Sequence, residues 1–500
     1  SCCYNSGHMR TVTFLLPERP LIGPQTIIIP HISITVLVII SAFILFIVSP
    51  HRLRKTEMTE INDFIDALFA EARKRGLDEC QVKYVESESS DIQVFEQKVS
   101  KQGASAVRRL NLAVKTGDKI GHFVTECFDV AEAAFVVGEA AANAALMDCD
   151  EKFFFYDGHG EYRAVHPYRP QDDRLAALDP AAYLREAERL AYAADKRIHQ
   201  VIYTSFYKKK RKLLIRNSLG LNLEDETSAA GAYILLSAKD NGGIRSYGAS
   251  VCFDKEADFD PACLARNAVD RVLAHLNPTD VVPQKMSVIF ENRRFAEFLG
   301  AIADMFDAYE VETGHSRLKG KIGEQIASPL LTIIDNPWLE GGFATAPFDG
   351  EGVPTKYKEV VKNGVLQTFL YGLCMADKHG CDSTGNGSGM QEAEIFTFYV
   401  QKGALPPETL LRELDNGVYI DKINGLRVGL NTVTGDFSAA AEGFEVKNGK
   451  IGRPLKQFTF AGNIYRLLKD IRAVGNDLTF YCSPFGSPSI LADNITVVNS

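Results

Sequence analysis

Among the Asn-Gly dipeptides of this chain, Asn363-Gly364, which joins two apolar runs, and Asn448-Gly449, which lies in a strand-rich stretch, restrict the fold more than any other feature. Asn-Gly supplies the positive φ angles that a two-residue hairpin turn requires, so each dipeptide predicts a pair of antiparallel strands. The first hairpin is preceded by an acidic, glycine-broken loop (Asp349 to Pro354). It is followed by a short helix that runs into Ser383-Thr384-Gly385-Asn386-Gly387. Loops held on a rigid hairpin are where function tends to reside.

The rest of the chain alternates between period-two and helical patterns. Ile61, Phe64, Ile65, Leu68 and Phe69 fall at helical spacing. Strands are expected at Val82–Ser87 and Asp91–Glu96, with a hairpin from Ala104 to Thr125 that turns at Thr116-Gly117-Asp118-Lys119. Asp129 should cap an alanine-rich helix ending at Leu146. Asp179-Pro180 and Asp260-Pro261 open two more, reaching about Asp195 and His275. Between the last two, residues Val201 to Phe253 read as strands with a turn at Asp240–Gly243. The run Lys208 to Lys212 reads as a solvated strand edge that blocks unwanted pairing, not as a nucleic-acid patch.

A chain of 500 residues is longer than one core usually serves. NPTDVVPQK (277–285) has the prolines and polarity of a linker, which divides the chain into 58–276 and 286–500. After the linker come a strand (Met286–Phe290), a helix from about Arg294 to Tyr309 and a glycine- and charge-rich loop (Val311–Pro329) long enough for a lid or partner contact. Helices are expected near Glu408–Leu414 and Asn463–Arg472. The fold class expected is α+β: an N-terminal mixed domain with antiparallel strands, then a curved, largely antiparallel β domain with peripheral helices.

Residues 1–57 differ in character from the rest of the chain. The segment 32–48 carries no charge and is close to the minimum length for crossing a bilayer. It reads either as a signal anchor, with the basic residues at 51–55 keeping the body in the cytoplasm, or as an upstream extension without a role. A net charge of −9 argues against a nucleic-acid partner. Ten scattered cysteines without a CxxC pair, in a chain that needs no disulfide staple, fit a reducing cytoplasm.

Direct readings of chemistry are sparse. The sequence contains no HExxH or HExxxH, no GxSxG, no phosphate loop and no GxGxxG. Beyond the linker the only histidines are His315 and His379, and Cys374, His379 and Cys381 offer at most three ligands without a usual pair spacing. No metal site is therefore expected in this chain. Ser383, Thr384 and Asn386 could hold a peptide backbone or an anion on their loop, or could simply close a helix. Asp349, Glu351 and Asp436 could act as general acid or base if paired in space, or could be surface and capping groups.

The stretch Phe348–Gly387 resembles the hallmark of the TldD/PmbA family, peptidases once described as modulators of DNA gyrase. So do GDFSAAAEGFEVKNGKIGRPL (435–455), FAGNI (460–464), VGND (474–477) and GSPSIL (486–491). The resemblance runs from about Met58 to the C-terminus, and GSPSIL together with the missing HExxxH resembles the PmbA (TldE) branch. In the TldD branch that motif lies on the helix after the first strand of the C-terminal domain; the matching helix here, RFAEFLGAIADMFDAY, has no histidine. The resemblance implies a subunit without its own cofactor. It would pair with a zinc-bearing, TldD-like HExxxH chain in a heterodimer or larger assembly that cleaves unfolded or extended peptides. Such peptides would bind by strand addition. Two alternatives stay open: an autonomous peptidase with unrecognised ligands, and a non-enzymatic binding protein of the gyrase-modulator type.

Overall fold

A computed structural model describes residues 50–147, 152–170, 172–241 and 243–499, so the apolar segment 32–48 lies outside the described residues. No helix among the described residues is long and apolar enough to cross a membrane. The chain separates into residues 1–61 and 62–500, and every sheet belongs to the larger unit. The fold is α+β.

The first sheet is six-stranded, with order β3-β2-β1-β4-β5-β6 and every pairing antiparallel. Its strands are β1 (Cys80–Phe95), β2 (Lys98–Thr116), β3 (Lys119–Thr125), β4 (Ile198–Asn217), β5 (Asn222–Asp240) and β6 (Gly243–Cys252). Helix α1 (Pro50–Lys74) contributes buried Phe64, Ile65 and Leu68. Helices α2 (Ala133–Leu146), α3 (Pro180–Ala194) and α4 (Pro261–Ala274) come after it. The aspartates expected as caps are caps. Asp179 and Asp260 each accept backbone N–H bonds ahead of a proline, and Asp129 opens a short 3-10 turn that leads into α2.

Three expectations are corrected in this sheet. Strand β1 runs unbroken through Ser87–Ser90, because β2 and β4 both supply ladder bonds along that polar stretch. Likewise β2 begins at Lys98, directly after a turn in which Glu96 and Gln97 adopt φ of 49° and 62°. Lys208 to Lys212 lie at no edge: they are paired on both sides in the middle of β4. They are tolerated there because Lys210 and Lys212 meet Glu226 (2.8 Å) and Glu224 (3.2 Å) across β5.

The remaining strands are β7 (Gln284–Phe290), β8 (Ile333–Asp335), β9 (Lys358–Lys362), β10 (Val365–Leu366), β11 (Phe398–Val400) and β12 (Gly417–Asn424). They continue with β13 (Asp436–Lys447), β14 (Lys450–Asn463), β15 (Ile471–Val474), β16 (Thr479–Phe480), β17 (Phe485–Ser487) and β18 (Ile490–Asn499). One sheet has the order β14-β13-β12-β7-β18-β15, and β18 also pairs back onto β14, which closes five strands into a ring. Only β12 and β7 run parallel in it. The other sheet, β10-β9-β8-β11-β17-β16, ends at β16 as an open edge. Both Asn-Gly turns form as expected, joining β9 to β10 and β13 to β14, with φ of 47° and 79° at Asn363 and Gly364.

Helix α5 (Asn292–Ile302) packs Phe295 and Phe298 against Phe290 and Phe437 of the ring, both of which also meet Phe460. It stops seven residues before the expected end at Tyr309. A 3-10 turn comes next, and Asp307 is extended, pairs with Leu370 and caps the following turn through Tyr309 N (2.9 Å). The helix expected to reach Arg472 is one turn, Ile464–Leu467, because Ile471 is drawn into β15 against β18. The loop 311–329 is packed down: Leu318, Ile326 and Ala327 are buried, and Gly323 N–H donates to Leu366 O. Finally, Cys252 at the end of β6 forms a disulfide with Cys482, their Cα atoms 5.9 Å apart. This corrects the expectation of unpaired cysteines. The two are 230 residues apart, a pairing that spacing cannot reveal.

Candidate functional site

The loops around the first Asn-Gly hairpin converge as one polar knot. Lys358 on β9 reaches Asp335 on β8 at 2.9 Å, and both are buried. A buried charge pair needs its other valences answered, and Asn386 does this. Its amide donates to Asp335 Oδ2 (2.8 Å) and Glu394 O (2.7 Å), and its carbonyl accepts from Lys358 Nζ (2.7 Å) and Thr384 Oγ1 (2.8 Å). Ser383 and Thr384 are engaged locally: Ser383 Oγ donates to Tyr371 O, and Thr384 Oγ1 accepts Tyr371 N–H. These three side chains therefore stand together, with their hydrogen bonds made to the protein itself.

Asp349 and Glu351 belong to the same knot. Asp349 accepts N–H bonds from Glu351 (2.9 Å), Val353 (2.9 Å) and Gly387 (2.6 Å). Glu351 accepts the N–H of Leu373, which opens the short helix α6 (Leu373–His379). Burial raises the pKa of both carboxyls. Asp349's three N–H donors oppose the rise there, whereas at Glu351 Asp349's charge adds to it. Asp436 stands elsewhere. It is exposed at the start of β13 and bonded to Asn463, whose amide holds its carboxyl below the usual range.

Sequence reasoning missed Asp335, Lys358, Lys83 and Glu394. Lys83 on β1 donates to Ser388 O (3.1 Å), and Glu394 accepts Gly350 N–H (3.1 Å). A lysine and an aspartate inside strands, at positions that should be apolar, were the available signal. His379 is held by Glu312 (3.4 Å) and Tyr371 (3.3 Å), while Cys374 is buried and Cys381 exposed. Among the described residues no three His, Cys, Asp or Glu side chains are grouped to hold a metal ion.

A separate opening lies along α5. Arg293, Ala296, Glu297 and Gly300 form one wall; Leu426, Val428, Tyr481 and Phe485 form the other, around about 590 Å³. Past Arg293 and Tyr481 it continues into a polar recess of about 350 Å³ bordered by Ser250, Asn267 and Arg271. Tyr481 directly follows β16, the strand that ends its sheet at an open edge. The charges on α5 form a chain: Arg271 to Glu291 (2.7 Å), Arg294 to Glu297 (2.8 Å), and Arg293 within 3.9 Å of Glu297. This lining does not fit a zinc ion. Its one carboxylate on α5 answers two guanidinium groups, and no imidazole faces it among the described residues.

Comparison with known proteins gives a consistent set of likenesses. Residues 170–276 match the PmbA/TldA metallopeptidase central domain, and residues 283–499 match the C-terminal domain. "Metalloprotease PmbA" of Escherichia coli O157:H7 is 30% identical over 314 residues, covering 63% of this chain and 67% of that protein. A Thermotoga maritima protein described as a modulator of a DNA gyrase superposes with a TM-score of 0.81 at 29% identity, over 87% of this chain and 99% of that one. TldE from Thermococcus kodakarensis has a TM-score of 0.75 at 21% identity, over 87% and 100%, a likeness of fold.

Proposed function

The chain belongs to the PmbA/TldD metallopeptidase family, and we propose that within it the chain is the peptide-handling subunit that leaves zinc chemistry to a partner. The observation that carries this reading is the groove along α5. This helix follows β7, the place where the TldD branch carries HExxxH, and here the groove-facing positions are Arg293, Ala296, Glu297 and Gly300. The groove offers an extended peptide apolar walls from Leu426, Val428 and Phe485, and the open edge of β16 comes directly before its lining residue Tyr481 in the chain. On this reading the partner is a TldD-like HExxxH chain. It would bring the zinc, the activated water and the carboxylate base, while this chain orients the peptide.

The test is peptidase activity and zinc content of the full chain, alone and mixed with an HExxxH chain from the same genome. Cleavage and stoichiometric zinc in the mixture alone are expected. Cleavage of casein by the lone chain with bound zinc would overturn the reading.

A further inference from the structure

A second recess, about 190 Å³, lies between the first sheet and loops of the C-terminal half, and it shares no lining residue with the groove along α5. Its floor follows from strand register. Leu213 on β4 pairs with Val85 and Asp225, and Arg211 pairs with Thr227. Side chains two apart on a strand, and those directly opposite across a ladder, share a face. Lys83, Arg211, Leu213, Asp225 and Thr227 therefore present to one side of the sheet. The roof over that face is Phe343, Phe348 and Phe396, with Glu394 at the rim.

The charges in this recess are not equally engaged. Lys83 is bonded to Ser388 O and Gly350 O, and Asp349 is saturated by backbone N–H groups. Arg211 is exposed and makes no direct hydrogen bond or ion pair among the described residues, while Asp225 accepts the Glu226 N–H and feels the charges of Arg211 and Arg169. A guanidinium and a carboxylate thus stand on neighbouring strands beside aromatic side chains, near enough to feel each other's charge but without a direct bond between them. Fork-shaped guanidinium recognises carboxylates, and a carboxylate recognises an ammonium.

We propose that this recess binds a free α-amino acid with an apolar side chain, its carboxylate on Arg211, its ammonium on Asp225 and Glu394, and its side chain against Phe343, Phe348 and Phe396. A cavity of about 150 Å³ takes up benzene, so the present volume accepts a side chain the size of leucine or phenylalanine. Burial raises the pKa of Asp225 and Glu394, and an ammonium placed between them would relieve that cost. The ligand class is what hydrolysis of peptides releases, but the site stands on its own geometry whether or not the chain takes part in cleavage.

The test is isothermal titration of the full chain with L-leucine, L-phenylalanine, 4-methylpentanoate (no ammonium) and isopentylamine (no carboxylate). Saturable one-site binding of an amino acid is expected, with each analogue weaker by about tenfold or more. Arg211→Ala and Asp225→Asn, neither of which anchors a loop, should each weaken binding by about tenfold or more while melting as the parent does. Three results would overturn the proposal: no saturable binding of either amino acid up to about 10 mM, binding that both variants leave unchanged, or an analogue that binds as tightly as the amino acid.

Discussion

The backbone N–H of Gly387 donates to Asp349 Oδ2 at 2.6 Å, which ties together two loops 38 residues apart in sequence. Glu351 fills the space where Gly387 would carry a side chain, and an added Cβ would overlap its carboxylate. Gly387→Ala must therefore push Glu351 off the N–H of Leu373 and loosen the start of α6. Overpacking of a closed core costs about 1–3 kcal/mol. The expected outcome is a melting temperature lower by several degrees; an unchanged value would mean that the two loops are not held as described.

Glu351 also sets a pH dependence. Its folded pKa is raised, first by burial and then by Asp349, whereas in the unfolded chain it has the ordinary value. The folded state therefore holds a proton that the unfolded state releases, and stability falls as pH rises from the ordinary carboxyl range toward the raised folded value. Glu351→Gln mimics the protonated form and can still accept the Leu373 N–H. Relative to the parent, the variant should be about as stable near pH 5 and more stable near pH 8. Melting curves at the two pH values check this; a variant destabilised equally at both would refute it.

How much of this was visible in the sequence depends on how locally each feature is determined. The turns at Asn363-Gly364 and Asn448-Gly449 and the Asp179 and Asp260 caps rest on residues within a few positions of one another, and they form as the sequence predicts. The break at Asp307 was hidden because the competing partner, Leu370, lies far along the chain. Lys208 to Lys212 looked like an edge because Glu224 and Glu226, which answer them, are supplied by the next strand. Of the six residues singled out as site candidates, Asp349, Glu351, Ser383, Thr384 and Asn386 stand together, whereas Asp436 lies apart at the start of β13. Asp335, Lys358 and the groove along α5 come from segments that only the fold assembles.

Lys358 is the member of the knot whose loss should cost most. Its ammonium answers buried Asp335, Asn386 and Thr384 O together. Lys358→Met keeps the stem and removes the charge, leaving Asp335 as a buried, unpaired carboxylate. Breaking one half of a buried pair costs about 3–5 kcal/mol. The expected result in urea is an unfolding free energy lower by about that amount, read from a lower midpoint at an unchanged slope. A second substitution, Asp335→Asn, should recover part of the loss, and failure to recover any would show that the pair is not coupled.

The Cys252–Cys482 disulfide joins β6 to the segment that carries Tyr481 and Ser483 into the groove. A cross-link over so long a loop stabilises by about 2–5 kcal/mol, mainly through the unfolded chain. Cys482→Ser should lower the melting temperature of the oxidised protein and leave that of the reduced protein unchanged. Thiol titration of the denatured parent should find two further thiols after reduction. Equal counts before and after would show that the pair is not bonded.

Val428 offers the sharpest test of the groove, because its side chain is 94% exposed on the rim, and changing it disturbs no packing within the chain. A valine left in water beside apolar Leu426 and Phe485 gains when something apolar covers it, worth about 1.5–3 kcal/mol for a full burial. Val428→Glu should therefore leave the melting curve of the isolated chain unchanged. If the covering group is the peptide, the mixture with an HExxxH chain should show KM raised about tenfold with kcat near the parent value, the mark of lost uniform binding. If it is the partner chain, co-purification should weaken instead, and activity should return when the partner is in excess. Parent-like KM, kcat and co-purification together would remove Val428, and with it this wall of the groove, from the peptide path.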